Sequence, residues 1–225
     1  MAELKIPEHK IMCPLCLSSD AFTQLDGPEQ RKYKLCHHCQ LIFMERKFLP
    51  DSSTEKKRYQ YHQNGPQNAG YVQFLNQAIT PTLPYLNTSM RGLDYGCGPA
   101  PTLSVLLGAQ RLHCENYDPF FFPELAEGKF DFIFATEAIE HFFNPGQELL
   151  RIQGLLKSGG ILTLMTELWD SVEKFSGWPY ARDNTHVSFY HEKTMEYICT
   201  QYGFEKLSPR STRVSVLKKM VATHV

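Results

Sequence analysis

The stretch Gly92-Leu93-Asp94-Tyr95-Gly96-Cys97-Gly98-Pro99-Ala100-Pro101 decides how the rest of the chain is read. It predicts a strand ending at Tyr95, a turn on two glycines and a helix beginning near Pro99. Glycine permits a tight turn and lets backbone approach a ligand with no Cβ in the way. Proline suits a first helical position, where its missing N–H would have no partner. The free N–H groups and positive dipole end of that helix would then face a polar or anionic ligand. The spacing argues against a dinucleotide, whose fingerprint has a third glycine where Pro101 stands. Asp94 would oppose a pyrophosphate, but it suits a cofactor carrying a cationic ammonium group.

An acid followed by Gly96-x-Gly98-x-Ala100 resembles motif I of the class I S-adenosylmethionine-dependent methyltransferases, with Ala100 replacing the last glycine. Downstream, the helix covers Thr102–Leu107 up to Gly108, and Leu112–Tyr117 reads as a second strand ending at Asp118. An acid about 20 residues past the glycines is placed to accept hydrogen bonds from ribose hydroxyls, and the resemblance implies that role for Asp118. Phe130-Asp131-Phe132-Ile133-Phe134-Ala135 is a near-continuous apolar run, as expected of a buried parallel strand. The following Thr136-Glu137-Ala138-Ile139-Glu140-His141-Phe142 resembles the family's acid-rich loop at the methionine side of the cofactor. Glu137 and His141 would lie four apart on a helix, a spacing open to a metal pair but more simply explained by acids favouring a helix N-terminus. Gln147–Leu156 reads as an amphipathic helix closed by Lys157-Ser158-Gly159-Gly160, ahead of a strand Ile161–Thr166, again in the family's manner. A helix Glu192–Tyr202 capped by Gly203 and an antiparallel pair, Phe204–Leu207 and Val214–Lys218, complete the series over about residues 90–206.

The resemblance implies a Rossmann-like α/β sheet that binds S-adenosylmethionine through Asp94, Gly96, Gly98, Asp118, Thr136 and Glu137. One departure stands out. Only eleven residues, Pro119–Lys129, separate Asp118 from Phe130, too few for the usual helix and third strand. The third strand is therefore expected to be shortened or missing, along with the adenine contact that follows it. Phe120, Phe121 and Phe122 offer an apolar platform in its place, or simply core packing.

Near the N-terminus, Cys13-x2-Cys16 and Cys36-x2-Cys39 are separated by nineteen residues. Two such pairs match a four-cysteine zinc site, each short turn aiming two thiolates at one ion. With short strands at Ala21–Leu25, Tyr33–Leu35 and Leu41–Met44, a zinc ribbon is expected. His37 and His38 lie within the second pair, as substitute ligands or as exposed loop residues. Three regions follow: a zinc ribbon over 1–48, a helical connector over 49–90 that contributes to the active-site wall, and the methyltransferase domain over 91–225.

In the connector, Arg58-Tyr59-Gln60-Tyr61-His62-Gln63-Asn64 suits either a pocket wall or a solvated helix face. Tyr71, Phe74, Leu75 and Ala78 recur at helical spacing as core, with Pro81 and Pro84 ending that helix. Beyond the fifth strand, Trp169–Tyr190 leaves the ligand-binding edge of the sheet and reads as a substrate lid. His186 within it is the candidate general base or orienting group, with Asp183 or Thr185 to hold its ring, and His62 is the rival base.

Net charge is −1, and residues 1–66 hold ten Lys and Arg against eight Asp and Glu. Without a basic excess a nucleic-acid partner is disfavoured. The first ten residues lack a secretory pattern and no apolar run approaches a membrane span, so a cytoplasmic location is expected. The function expected is methyl transfer to a small-molecule acceptor. RNA or protein methylation guided by the ribbon, or a non-catalytic scaffold, stand as alternatives.

Overall fold

The computed structural model describes residues 11–61, 64–207 and 211–221. Three short strands come first: β1 (Phe22–Asp26), β2 (Lys32–Cys36) and β3 (Ile42–Met44). Helix α1 (Ser52–Gln60) starts where the Asp51 carboxylate accepts from Thr54 N–H at 2.8 Å, an N-cap that satisfies an orphan donor. Helix α2 (Ala69–Thr82) is capped in the same way by Asn68. It runs through Pro81 to Thr82, one residue past the stop expected from the proline, and then tightens into a 3₁₀ turn at Leu83–Tyr85.

The central sheet is built from β4 (Arg91–Tyr95), β5 (His113–Tyr117), β6 (Phe130–Thr136), β7 (Leu156–Met165), β9 (Phe204–Lys206) and β10 (Val214–Lys219). Its order is β5-β4-β6-β7-β10-β9. The first four run parallel and the last two join antiparallel, which gives the expected Rossmann-like α/β architecture. The expected gap is present: residues 119–129 cross from β5 to β6 with no strand, only an isolated bridge between Asp118 and Phe122. Helix α3 (Thr102–Ala109) follows β4, and α4 (Pro145–Leu155) precedes β7. Lys157–Gly160 does not cap α4 as expected. Leu156 already has extended backbone, so those residues open β7, where a register shift against β6 absorbs them. Helix α5 (Glu192–Tyr202) ends on Gly203 at φ +69°, a left-handed position that suits glycine.

A second sheet has the order β1-β2-β3-β8, and its last strand, β8 (Ser188–Phe189), comes from far along the chain. Side chains alternate across β3. Leu41 and Phe43 enter a core with Leu149, Ile152, Tyr190 and Ile198, while Ile42 and Met44 join Trp169, Phe175 and Phe189. Strand β3 is thus buried on both faces against later segments. At the first cysteine turn, Gly146 N–H donates to Pro14 C=O at 3.1 Å, and a Cβ there would stand 2.8 Å from Leu15 O. Among the described residues no helix is long and apolar enough to cross a membrane.

Candidate active site

Loops leaving the carboxyl ends of β4, β5 and β6 meet around a cavity of about 540 Å³, within the range of small-ligand sites. Gly96 and Gly98 form its floor at φ +84° and +65°, conformations that L side chains resist. A Cβ on Gly96 would lie 2.7 Å from Ala138 Cβ, whereas one on Gly98 would meet nothing within 4 Å. One glycine therefore lets two loops pass, and the other leaves open backbone facing the cavity. The helix expected over Thr102–Leu107 begins at Thr102, three residues after Pro99, and runs past Gly108 to Ala109. Pro101 disfavours helical backbone at Ala100 before it.

Asp118 ties the floor together. Its Oδ2 accepts from Gly98 N–H at 3.0 Å and its Oδ1 from Phe120 and Phe121 N–H at 2.8 and 3.1 Å. Of the carboxylate's roughly four lone-pair sites three are taken, and the remaining one is on Oδ2. Asp94 lies beneath the loop and does not line the cavity. It is only 2% exposed and its Oδ1 has no hydrogen-bond partner. Burial, and then the Asp118 charge, push its pKa up to about 7.

Much of the lining is aromatic and includes Tyr59, Tyr71, Phe74, Phe120, His141 and His186. Beside it, the Tyr180 hydroxyl lies 2.6 Å from Glu140 Oε1 and 3.3 Å from Glu137 Oε2. Glu137 also pairs with Arg213 at 3.1 Å, and Arg213 pairs with Glu167. Burial pushes the pKa of both Glu137 and Glu140 upward. His141 Nδ1 donates to Thr185 C=O at 2.9 Å and His186 Nδ1 to Tyr180 C=O at 2.7 Å. Carbonyl oxygens only accept, so each neutral ring carries its proton on Nδ1. Burial, and then His141, push the His186 pKa down to about 3.

Two groups of metal-type side chains occur among the described residues. In each, one ligand atom per residue lies within 4.8 Å of the others. Cys13, Cys16, Cys36 and Cys39 form the first, with Cys13–Cys39 and Cys16–Cys36 sulfur separations of 3.6 and 3.5 Å. Glu140, His141 and His186 form the second.

A family model described as a methyltransferase domain matches residues 67–208, more than half of the chain. The chain belongs to the class I S-adenosylmethionine-dependent methyltransferases.

Solved structures share this methyltransferase fold. The magnesium protoporphyrin IX methyltransferase of Synechocystis, solved with S-adenosylhomocysteine bound, is 14% identical with a TM-score of 0.53, covering 77% of this chain and 97% of its own. An O-methyltransferase family protein from Burkholderia thailandensis is 14% identical with a TM-score of 0.54, covering 80% and 66%. The 1,6-didemethyltoxoflavin-N1-methyltransferase of the same organism is 15% identical with a TM-score of 0.51, covering 90% and 100%. No curated protein matches the chain.

The methyltransferase cavity gathers Gly96, Gly98, Asp118, Thr136, Glu137 and His186, with Asp94 directly below. His62 lies outside the described residues. Neither Asp183 nor Thr185 holds the His186 ring as expected. Asp183 binds Arg58 at 2.8 Å and the Thr185 hydroxyl at 2.7 Å, while the Tyr180 carbonyl holds His186. Glu137 and His141 are not four apart on a helix, because only a 3₁₀ turn, Ile139–His141, forms there. Of the three phenylalanines after Asp118, Phe120 alone lines the cavity.

The expected lid is anchored. Arg31, 6% exposed, donates to the carbonyls of Ala181, Arg182 and Asp183 at 2.9–3.2 Å. Tyr71 and Phe74, expected in the core, pack on it and face the cavity as well. Tyr180 is not among the expected site residues, and the Trp178-Pro179-Tyr180 cluster in the ligand-side segment was its available signal. Arg213, on the segment before β10, had none.

Proposed function

We propose that this methyltransferase transfers the methyl group of S-adenosylmethionine to a small-molecule acceptor bound in the cavity of the glycine floor and aromatic lining. The observation that carries the reading is the cavity itself, lined together by open glycine backbone, Asp118 and ring-bearing side chains. Its fit to the cofactor is local. Gly98 leaves backbone exposed where a side chain would stand, and the orphaned Asp94 oxygen, buried beside a second acid, suits a cationic ammonium group nearby.

When bound, S-adenosylmethionine supplies an electrophilic sulfonium methyl group. In this reading Asp118 accepts from the ribose hydroxyls, Gly96 and Gly98 admit the cofactor against the backbone, and Thr136 with Glu137 bounds its methionine end. The rings of Tyr59, Tyr71 and Phe74 exclude water, so that orientation provides most of the rate enhancement. His186 stands at the acceptor end. With its pKa pushed so low it is a weak base, and orienting the acceptor is the role its position supports.

Residues 1–48 are assigned in the same proposal to a structural zinc ribbon, 49–90 to the cavity wall and 91–225 to the chemistry. The sulfur separations of 3.5 and 3.6 Å approach the roughly 3.8 Å edge of a tetrahedron with metal–sulfur bonds of about 2.3 Å. The chain's near-neutral balance supports a small acceptor over RNA.

Calorimetry with S-adenosylmethionine and a methyl-labelled cofactor incubated with metabolite extract test the reading. Wild type is expected to bind, and Asp118→Ala to bind at least about tenfold more weakly, the loss of one charge-assisted hydrogen-bonding group. Equal affinity in the variant would remove the ribose assignment. Label recovered in RNA or protein instead of small molecules would overturn the acceptor class.

A further inference from the structure

Glu140, His141 and His186 bring a carboxyl group and two imidazoles together at one point of the fold. One ligand atom from each lies within 4.8 Å of the other two. Both imidazoles spend their Nδ1–H on backbone carbonyls, which leaves the Nε2 lone pairs bare. Glu140 is fully buried; its Oε1 is engaged by Tyr180, and its Oε2 has no hydrogen-bond partner among the described residues. An unpartnered buried carboxylate oxygen calls for a specific explanation. So does a pair of neutral rings with centroids 4.8 Å apart that share no hydrogen bond. A cation bound by all three resolves both.

We propose that Glu140, His141 and His186 form a divalent transition-metal site at the acceptor end of the cavity. Two imidazole nitrogens and one carboxylate suit a first-row ion such as manganese, iron or zinc. The Nδ1–H bonds to Thr185 and Tyr180 are the outer contacts that fix ligating histidines in one tautomer, and the Tyr180 hydroxyl does the same for the carboxylate. Three protein ligands leave coordination positions open, and His141 and His186 both face the cavity, as in a catalytic and unlike a closed structural site.

Resting on the methyltransferase reading, the ion's role follows from its position. An acceptor oxygen bound to it would have its hydroxyl pKa lowered and would release its proton to water, leaving an oxygen lone pair directed to the methyl group. The site thereby supplies an activation of the acceptor that needs no protein base. It also narrows the acceptor to a molecule with a hydroxyl group, phenolic, enolic or alcoholic.

Manganese(II) is the probe, because thiolates favour softer ions and the four cysteines compete poorly for it. Protein with its cysteine site filled is titrated with Mn2+ and free ion is read by electron paramagnetic resonance, without cofactor or acceptor. One Mn2+ per chain is expected, with affinity falling roughly a hundredfold in His186→Gln and in Glu140→Gln. Circular dichroism checks folding, and His141→Asn replaces any variant that fails it. Binding of S-adenosylmethionine to Glu140→Gln should match wild type. Absence of Mn2+ binding, with Zn2+ and Co2+ binding only at the cysteines, would overturn the site even if the cofactor binds normally. Mn2+ affinity unchanged by the substitutions would overturn it too. Metal binding without cofactor binding would instead count against the methyltransferase reading.

Discussion

The two donor clusters of this protein are built in opposite ways. Each half of the cysteine cluster is local: Cys13 and Cys16 share one turn, Cys36 and Cys39 another, and β1 and β2 bring the turns together. The second cluster unites Glu140 and His141, after β6, with His186, more than forty residues later. That meeting depends on the sheet, which returns the chain to the same edge. A site made from turns writes its spacing into the sequence. A site made from topology does not.

The clusters are also connected. Met44 N–H of the N-terminal sheet donates to Val187 C=O at 2.8 Å, and Val187 N–H donates to Glu140 C=O at 2.8 Å. Val187 adjoins His186, so the cysteine-bearing sheet abuts both ends of the cavity cluster. If one cluster is structural and the other functional, mutation should separate them. Cys36→Ser is expected to lose the bound metal and at least about 5 kcal/mol of stability, since metal binding supplies much of a small ribbon's folding free energy. Glu140→Gln keeps an oxygen for Tyr180 and is expected to shift the melting temperature by no more than about 4 °C. Thermal unfolding with metal analysis checks both. A Cys36→Ser protein that melts with wild type would erase the contrast.

The same contrast governs what was legible in advance. The glycine turn, Asp118, the missing third strand and the antiparallel final pair were all readable, because each depends on short-range spacing or on available length. The partnership of Arg31 with Ala181–Asp183 was not, since nothing local marks a buried arginine whose acceptors are distant carbonyls. Nor was β8, whose two residues find a sheet only through β3. Tyr71 packs on the core as expected and also lines the cavity, because helical periodicity registers a buried face without saying what covers it.

Between the two glycines the comparison sharpens to a single Cβ. At Gly96 an added methyl group meets both a left-handed backbone and Ala138 at 2.7 Å; at Gly98 it meets the backbone penalty alone. Gly96→Ala is expected to cost about 2–4 kcal/mol, strain plus overpacking, and Gly98→Ala about 1 kcal/mol. Denaturant unfolding measures both. Equal costs would mean that the β6 loop yields freely to Gly96, contrary to the packing seen.

The smallest change in structure separates Asp94, below the floor, from Asp118, within it. Asp118 has three backbone N–H donors, whereas Asp94 has a buried oxygen with none. Its pKa is pushed up from 3.8 to about 7 by burial and by Asp118. The sign follows from linkage. Below about pH 4 both folded and unfolded chains hold this proton, and no stability is lost. From there to about pH 7 the unfolded chain releases it while the folded chain keeps it, so stability falls by up to about 1.4 kcal/mol per pH unit. Above pH 7 the loss is complete and the contribution is flat. A cationic ammonium group near Asp94 would favour the ionised form, so cofactor affinity should rise from pH 6 to pH 8 by at most about tenfold, with fractional proton release at pH 7. Calorimetry in two buffers of different ionisation enthalpy detects that release. Asp94→Asn should abolish it and flatten the stability slope between pH 4 and pH 7. Proton release that persists in Asp94→Asn would place the titrating group elsewhere, with Glu137 the next to be replaced.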